Sequence, residues 1–133
     1  MVVIVVDASA LVAVADAEPD ADDFLRCLGR NEAVIAGINY VEAGVILIGR
    51  RRITGKPDFD AWLGRLGVEV RGADDLSGPA LAAYLVYGRG YHKARLNLAD
   101  CFAYALAKRL DAPLLYKGDD FAMTDVKRAL HPM

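Results

Sequence analysis

Histidine, cysteine and long apolar runs are scarce in this chain of 133 residues, and each scarcity removes a class of function. Two histidines (His92 and His131) and two cysteines (Cys27 and Cys101) cannot furnish a zinc site at any usual ligand spacing. The thiols read instead as reduced core residues. No stretch approaches the roughly 20 uninterrupted apolar residues of a membrane span. The apolar N-terminus has no basic leader and meets Asp7 too early for a signal peptide. Both points predict a cytoplasmic protein without membrane contact. A formal net charge of −2 argues against a protein that coats nucleic acid, although a local basic rim still lets a near-neutral chain hold a polyanion. Gly-rich phosphate loops and a nucleophile elbow are absent too.

What is present fits an ordinary globular domain: 55% apolar and 26% charged residues, in a length that predicts one domain over 1–133. Residues 2–6 are a continuous β-branched run, the pattern of a strand buried on both faces of a parallel sheet. Ala, Leu and Val over 8–15 suit a short helix capped by Asp7. Further helices are expected near 20–29, from Asn39 to about 48, over 58–66, from Asp75 to about Arg89, and over 98–110. Strands are expected at 33–36, 68–70 and 114–116, followed by a polar turn and a short helical tail. Strands alternating with helices indicate an α/β fold around a parallel sheet.

Four carboxylates stand where a fold has little structural use for charge: Asp7, Glu42, Asp100 and Asp119. Asp7 and Asp119 each come after an expected strand, at the carboxyl edge where open α/β sheets place their sites. Glu42 and Asp100 have a competing explanation, because Asn39–Glu42 and Asn97–Asp100 both resemble capping boxes and an acid in a first turn gains from the helix dipole. Yet both helices are apolar on nearly every face, so the acids project from buried surroundings. Converging carboxylates repel and hold their protons unless a cation compensates. A hard divalent ion does so with oxygen ligands. Arg50–Arg52 is most simply a helix end charged to suit its dipole. With Lys56, Arg89, Lys93 and Arg95 it also reads as a basic rim, which suits a phosphodiester. His92 reads as a solvated loop residue.

Val-Val-Asp-Ala-Ser-Ala-Leu at 5–11, the isolated Glu42, Leu-Asn-Leu-Ala-Asp-Cys-Phe-Ala-Tyr-Ala-Leu-Ala at 96–107 and Leu-Leu-Tyr-Lys-Gly-Asp-Asp-Phe at 114–121 resemble the PIN-domain ribonucleases. The chain is similar in particular to the VapC toxins of toxin–antitoxin systems. The resemblance spans essentially the whole length. It implies an α/β/α sandwich with a central parallel sheet of about four to five strands, usually a homodimer. It implies an acidic cluster holding one or two Mg²⁺ or Mn²⁺ ions and hydrolysing RNA, with tRNA or rRNA as target. By position, Asp7 and Asp100 become the principal metal ligands and Glu42 and Asp119 complete the set. Asp119 is preferred to Asp120 because it comes directly after Gly118. Ser9 is implied to bind a carboxylate or a substrate phosphate, and a small VapB-type antitoxin is the implied partner. Arg89, Lys93 and Arg95 of the basic rim are expected to hold the substrate's phosphates. Ala99 stands where the family usually has glycine, and the family's short last strand is not evident after residue 125.

Other chemistries fit less well. Haloacid-dehalogenase-like phosphatases want a second acid where Ser9 stands. A phosphoacceptor domain wants its aspartate on a middle strand after an acidic pair near the first. A catalytically silent RNA-binding or metal-binding α/β module is the surviving alternative, and it predicts binding without metal-dependent cleavage.

Overall fold

The computed structural model describes residues 2–71 and 75–130; His131 lies outside them. Four strands, β1 (Val3–Val6), β2 (Glu32–Ala36), β3 (Val68–Arg71) and β4 (Leu114–Leu115), form one parallel sheet in the order β3-β2-β1-β4. Register is fixed by the pairs Val5↔Val34 and Val5↔Leu114, which put β1 at the centre. That position explains its unbroken Val/Ile composition, since both faces of a central parallel strand are covered.

Six helices supply the covers: α1 (Ala8–Ala15), α2 (Ala21–Arg30), α3 (Gly37–Gly49), α4 (Lys56–Leu66), α5 (Ser77–Tyr87) and α6 (Leu98–Arg109). Strand side chains alternate between faces. Ile4, Val6, Ala33, Ile35 and Leu115 therefore pack with Leu11, Phe24, Leu47, Phe59 and Leu63 of α1–α4. Val5, Val34, Ala36 and Leu114 face the other way, onto Ala80, Ala83, Cys101, Ala105 and Leu106 of α5 and α6. The result is the expected α/β/α sandwich. The alanines of α6 leave little side-chain bulk between helix and sheet, so the helix bearing Asp100 lies close to β1.

Boundaries differ from the sequence pattern where local chemistry overrides it. Helix α3 begins at Gly37, not Asn39, because β2 runs straight into it and Ala36 is the residue before its first turn, with no side-chain cap. Asn39 is therefore interior to the helix, and the Asn39–Glu42 capping box does not form. Helix α4 begins at Lys56 with Pro57 in its first turn and stops at the left-handed Gly67, φ +76°. The expected helical tail is a 3₁₀ turn at Phe121–Met123. Beyond it, Leu114 pairs in parallel with Arg128, with Leu114 N–H donating to Lys127 O at 2.8 Å and Ala129 N–H to Leu114 O at 2.9 Å. This single bridge takes the place of a last strand.

The loop from α5 to α6 is closed by a bridge between Gly88 and Leu96. A Cβ at Gly88 would overlap the Tyr84 carbonyl and ring, so only glycine fits there. His92 accepts at Nδ1 from Ala94 N–H at 3.0 Å and packs edge-on against Tyr87. It is a half-buried loop-former, more enclosed than the solvated residue expected. Trp62 packs beside Phe59 as a half-buried member of the α4 core edge.

Candidate active site

Parallel strands place all their carboxyl ends at one edge, and β1, β2 and β4 each deliver a functional segment there. Asp7 leaves β1 with its N–H bonded to Leu115 O at 2.9 Å, beside the end of β4. Its extended backbone makes it the cap of α1, with Oδ2 accepting from Ser9 N–H at 3.0 Å. The residue is 3% exposed. Oδ1 is buried and receives no hydrogen bond among the described residues. Burial raises its carboxyl above the ordinary value although the Ser9 and Ala8 donors oppose it.

Asp100 lies in the first turn of α6, where the Asn97 capping box does form. Asn97 Oδ1 accepts from Asp100 N–H at 2.8 Å, and Asp100 Oδ2 accepts from Asn97 N–H at 3.0 Å. The two readings of this residue are thus compatible: one oxygen caps and the other remains for chemistry. Burial, with the charges of Asp7, Glu42 and Asp120 adding to it, pushes the Asp100 carboxyl up to about 7 against the opposing Asn97 N–H. Glu42, half-buried on α3, is raised by burial and by the Asp7 charge, while the Asn39 amide works the other way.

These groups share a cleft of about 270 Å³ walled by Asp7, Ser9, Glu18, Glu42, Asp100 and Lys117 over Ala8, Val12 and Ile46. Asp119 and Asp120 are exposed on the turn after Gly118 (φ +101°), outside those walls. Of the two, Asp120 is the one whose charge reaches Asp100, whereas that of Asp119 acts on Tyr116. Arg89, Lys93 and Arg95 are exposed on the α5–α6 loop, outside the cleft walls. Arg50 and Arg52 sit at the other end of α3, about 12 Å along the axis from Glu42 at ~1.5 Å per residue. Both are paired there with Asp16, at 2.9 and 2.7 Å.

Two residues of the site carry no functional signal in the sequence. Asn39 resembles a cap but is fully buried, and its Nδ2 donates to Ala99 O at 2.9 Å, tying the turn that carries Glu42 to the turn that carries Asp100. Asn39→Ala removes that tie and leaves a cavity; we expect it to lower unfolding free energy by about 1–3 kcal/mol, measured by urea denaturation. Lys117 is an ordinary lysine in sequence, and only the end-to-end register of β1 and β4 brings it to the cleft.

Residues 4–127 match the PIN domain family model. The chain is 38% identical over 130 residues to Ribonuclease VapC30 of Mycobacterium tuberculosis, covering 96% of this chain and 99% of that one. Among solved structures it resembles M. tuberculosis VapC20, a Sarcin-Ricin loop cleaving toxin, with a TM-score of 0.69 at 19% identity over 92% of this chain and 95% of that one. It resembles equally a toxin–antitoxin complex from Klebsiella pneumoniae, with a TM-score of 0.68 at 16% identity and 92% coverage of both chains. The chain belongs to the PIN-domain family, and within it to the VapC ribonucleases.

Among the described residues, no three His, Cys, Asp or Glu side chains are gathered tightly enough to form a ready cage for a metal ion. Asp7 and Asp100 each have one oxygen held by a backbone N–H. The donor set nevertheless fits a hard divalent cation: all oxygen, acidic, and including the buried, unpartnered Asp7 Oδ1.

Proposed function

We propose that this protein is a metal-dependent endoribonuclease, the toxin of a toxin–antitoxin pair. The observation that carries the reading is the convergence of Asp7, Glu42 and Asp100 from three separate segments into one cleft. Burial holds all three above their ordinary values there, and neighbouring carboxylate charge adds to it at Glu42 and Asp100. Asp7 and Asp100 would hold Mg²⁺ or Mn²⁺. Bound there, the ion supplies a water of lowered pKa and a positive charge for the scissile phosphate. Glu42, on the wall of the same cleft, would orient a nucleophilic water and take up its proton. Asp120 or Asp119 closes the acidic set, and the electrostatic coupling to Asp100 favours Asp120.

The rest of the site serves position. The Asn97 box fixes the Asp100 carboxylate, Ser9 fixes that of Asp7, and Asn39 fixes the spacing of α3 and α6. An RNA target is supported by the relatives' ribonuclease names and by VapC20, a Sarcin-Ricin loop cleaving toxin; tRNA or rRNA is the class proposed. An antitoxin partner is supported by the Klebsiella toxin–antitoxin complex, and a small VapB-type protein is the antitoxin proposed. A homodimer is supported by the exposed apolar residues Ile38, Val41 and Val45 along one side of α3.

The test is incubation of antitoxin-free protein with total RNA in Mg²⁺, Mn²⁺ or EDTA. Discrete fragments in either metal and none in EDTA are the expected result. A folded protein that binds RNA but leaves it intact in both metals is instead a silent binding module.

A further inference from the structure

Lys117 is the single cation among the described residues that wall the cleft, against four acids: Asp7, Glu18, Glu42 and Asp100. Its main chain is anchored to the catalytic carboxylate through one intermediary. Lys117 N–H donates to Ser9 Oγ at 2.9 Å, and Ser9 N–H donates to Asp7 Oδ2 at 3.0 Å. The side chain is held separately. Its Nζ lies 2.9 Å from both oxygens of Asp20 and 3.7 Å from Glu18 Oε2. Asp20 stands directly before α2, where an aspartate ordinarily caps the helix, yet its carboxylate makes no capping bond and goes to Lys117 instead.

This pair is partly exposed, with 40% of the lysine side chain and 32% of the aspartate open to solvent. Water screens such a pair until little net attraction is left, so a competing anion displaces Asp20 at small cost. Lysine suits the exchange, being a compact charge with three donors on a flexible stem. A polyanion entering a cleft of carboxylates also needs a cation beyond any at the acids themselves.

We propose that Lys117 is a substrate-binding residue, parked on Asp20 and Glu18 in the free protein and transferred to a backbone phosphate of RNA flanking the scissile bond. The inference rests on the ribonuclease reading above. It places the phosphate contact within the cleft itself, on a residue that local sequence does not single out.

The experiment measures binding of a fluorescently labelled single-stranded RNA, drawn from a transcript the wild type cuts, by fluorescence anisotropy across a salt series. All proteins carry Asp100→Asn so that the RNA survives. Lys117→Met preserves the main-chain bond to Ser9 and is expected to weaken binding about tenfold. It should also flatten the dependence of log affinity on log salt by about 0.7, the increment for one phosphate contact on a single strand. Lys117→Arg should restore most of the affinity and the slope. Asp20→Asn, which frees the lysine, should bind at least as well as its parent.

Unchanged affinity and slope in Lys117→Met overturn the proposal, with the ribonuclease reading intact. Equal weakening by Asp20→Asn and Lys117→Met also overturns it, since the pair then acts as a structural strut. A wild type that cuts no RNA, with an Asp100→Asn parent that binds none, overturns the reading and the proposal together.

Discussion

Asparagine at position 100 should abolish RNA cleavage while making the metal-free protein more stable. Asn keeps an acceptor oxygen in place of Asp100 Oδ2, so the bond from Asn97 N–H at 3.0 Å and the start of α6 survive. What disappears is a charge buried among Asp7 and Glu42. Replacing residues that merely support a metal ligand costs roughly 10–100-fold in affinity or activity, so losing a ligand of the proposed metal site should cost at least about 100-fold in cleavage. The melting temperature in EDTA should rise above that of the wild type, because the repulsion is relieved. Full activity with a normal fold would remove Asp100 from the site. A lowered melting temperature would mean that the carboxylate serves mainly as a cap.

The second large effect is on pH dependence. In the unfolded chain Asp100 titrates near 3.8, and in the folded chain near 7. Between these values the folded state binds the proton that the unfolded state has released, so stability falls as pH rises. The contribution is fully present below about pH 4 and gone above about pH 7. Each pH unit of separation is worth about 1.4 kcal/mol, giving an order-of-magnitude loss of 4 kcal/mol across the window. Asp7 and Glu42, raised by the same burial, act in the same direction. The carboxylates held low by ion pairs or tyrosine hydroxyls, Asp16, Asp60 and Asp125, titrate below this window and leave it to the cleft. Urea unfolding in EDTA at pH 4.5 and 7.5 should therefore give the lower stability at pH 7.5. Saturating Mn²⁺ should remove most of the difference, because a cation that binds only the folded, ionised site stabilises it by mass action. A stability that rises with pH in EDTA would show that the cleft acids are not mutually repelled.

Much of this arrangement is legible in the sequence because it depends on pattern. The apolar run 2–6 has the pattern of a doubly covered strand, which the structure forms over Val3–Val6, and that places Asp7 at the carboxyl edge. The Asn97–Asp100 box is visible at its fixed spacing and forms in the structure. The same spacing at Asn39–Glu42 misleads, since a helix that abuts a strand starts where the strand ends, and β2 ends at Ala36. Asn39 thereby becomes a buried strut between two helices. Lys117 and the bridge at Arg128 are illegible for a related reason. Both depend on which strand end β4 adopts beside β1, a long-range register that local composition does not encode. Asp119 and Asp120 are adjacent in sequence, and only their positions relative to Asp100 distinguish them: the charge of Asp120 reaches it.

The buried carboxylates of β1 and α6 should act as one site for a divalent cation. Calorimetric titration of Mn²⁺ into metal-free wild type, Asp7→Asn and Asp100→Asn at pH 7.5 tests this most directly. Saturable binding to the wild type, lost in both variants while each stays folded by circular dichroism, is the expected result. Binding to both variants as tight as to the wild type, or no binding to a folded wild type, would contradict it.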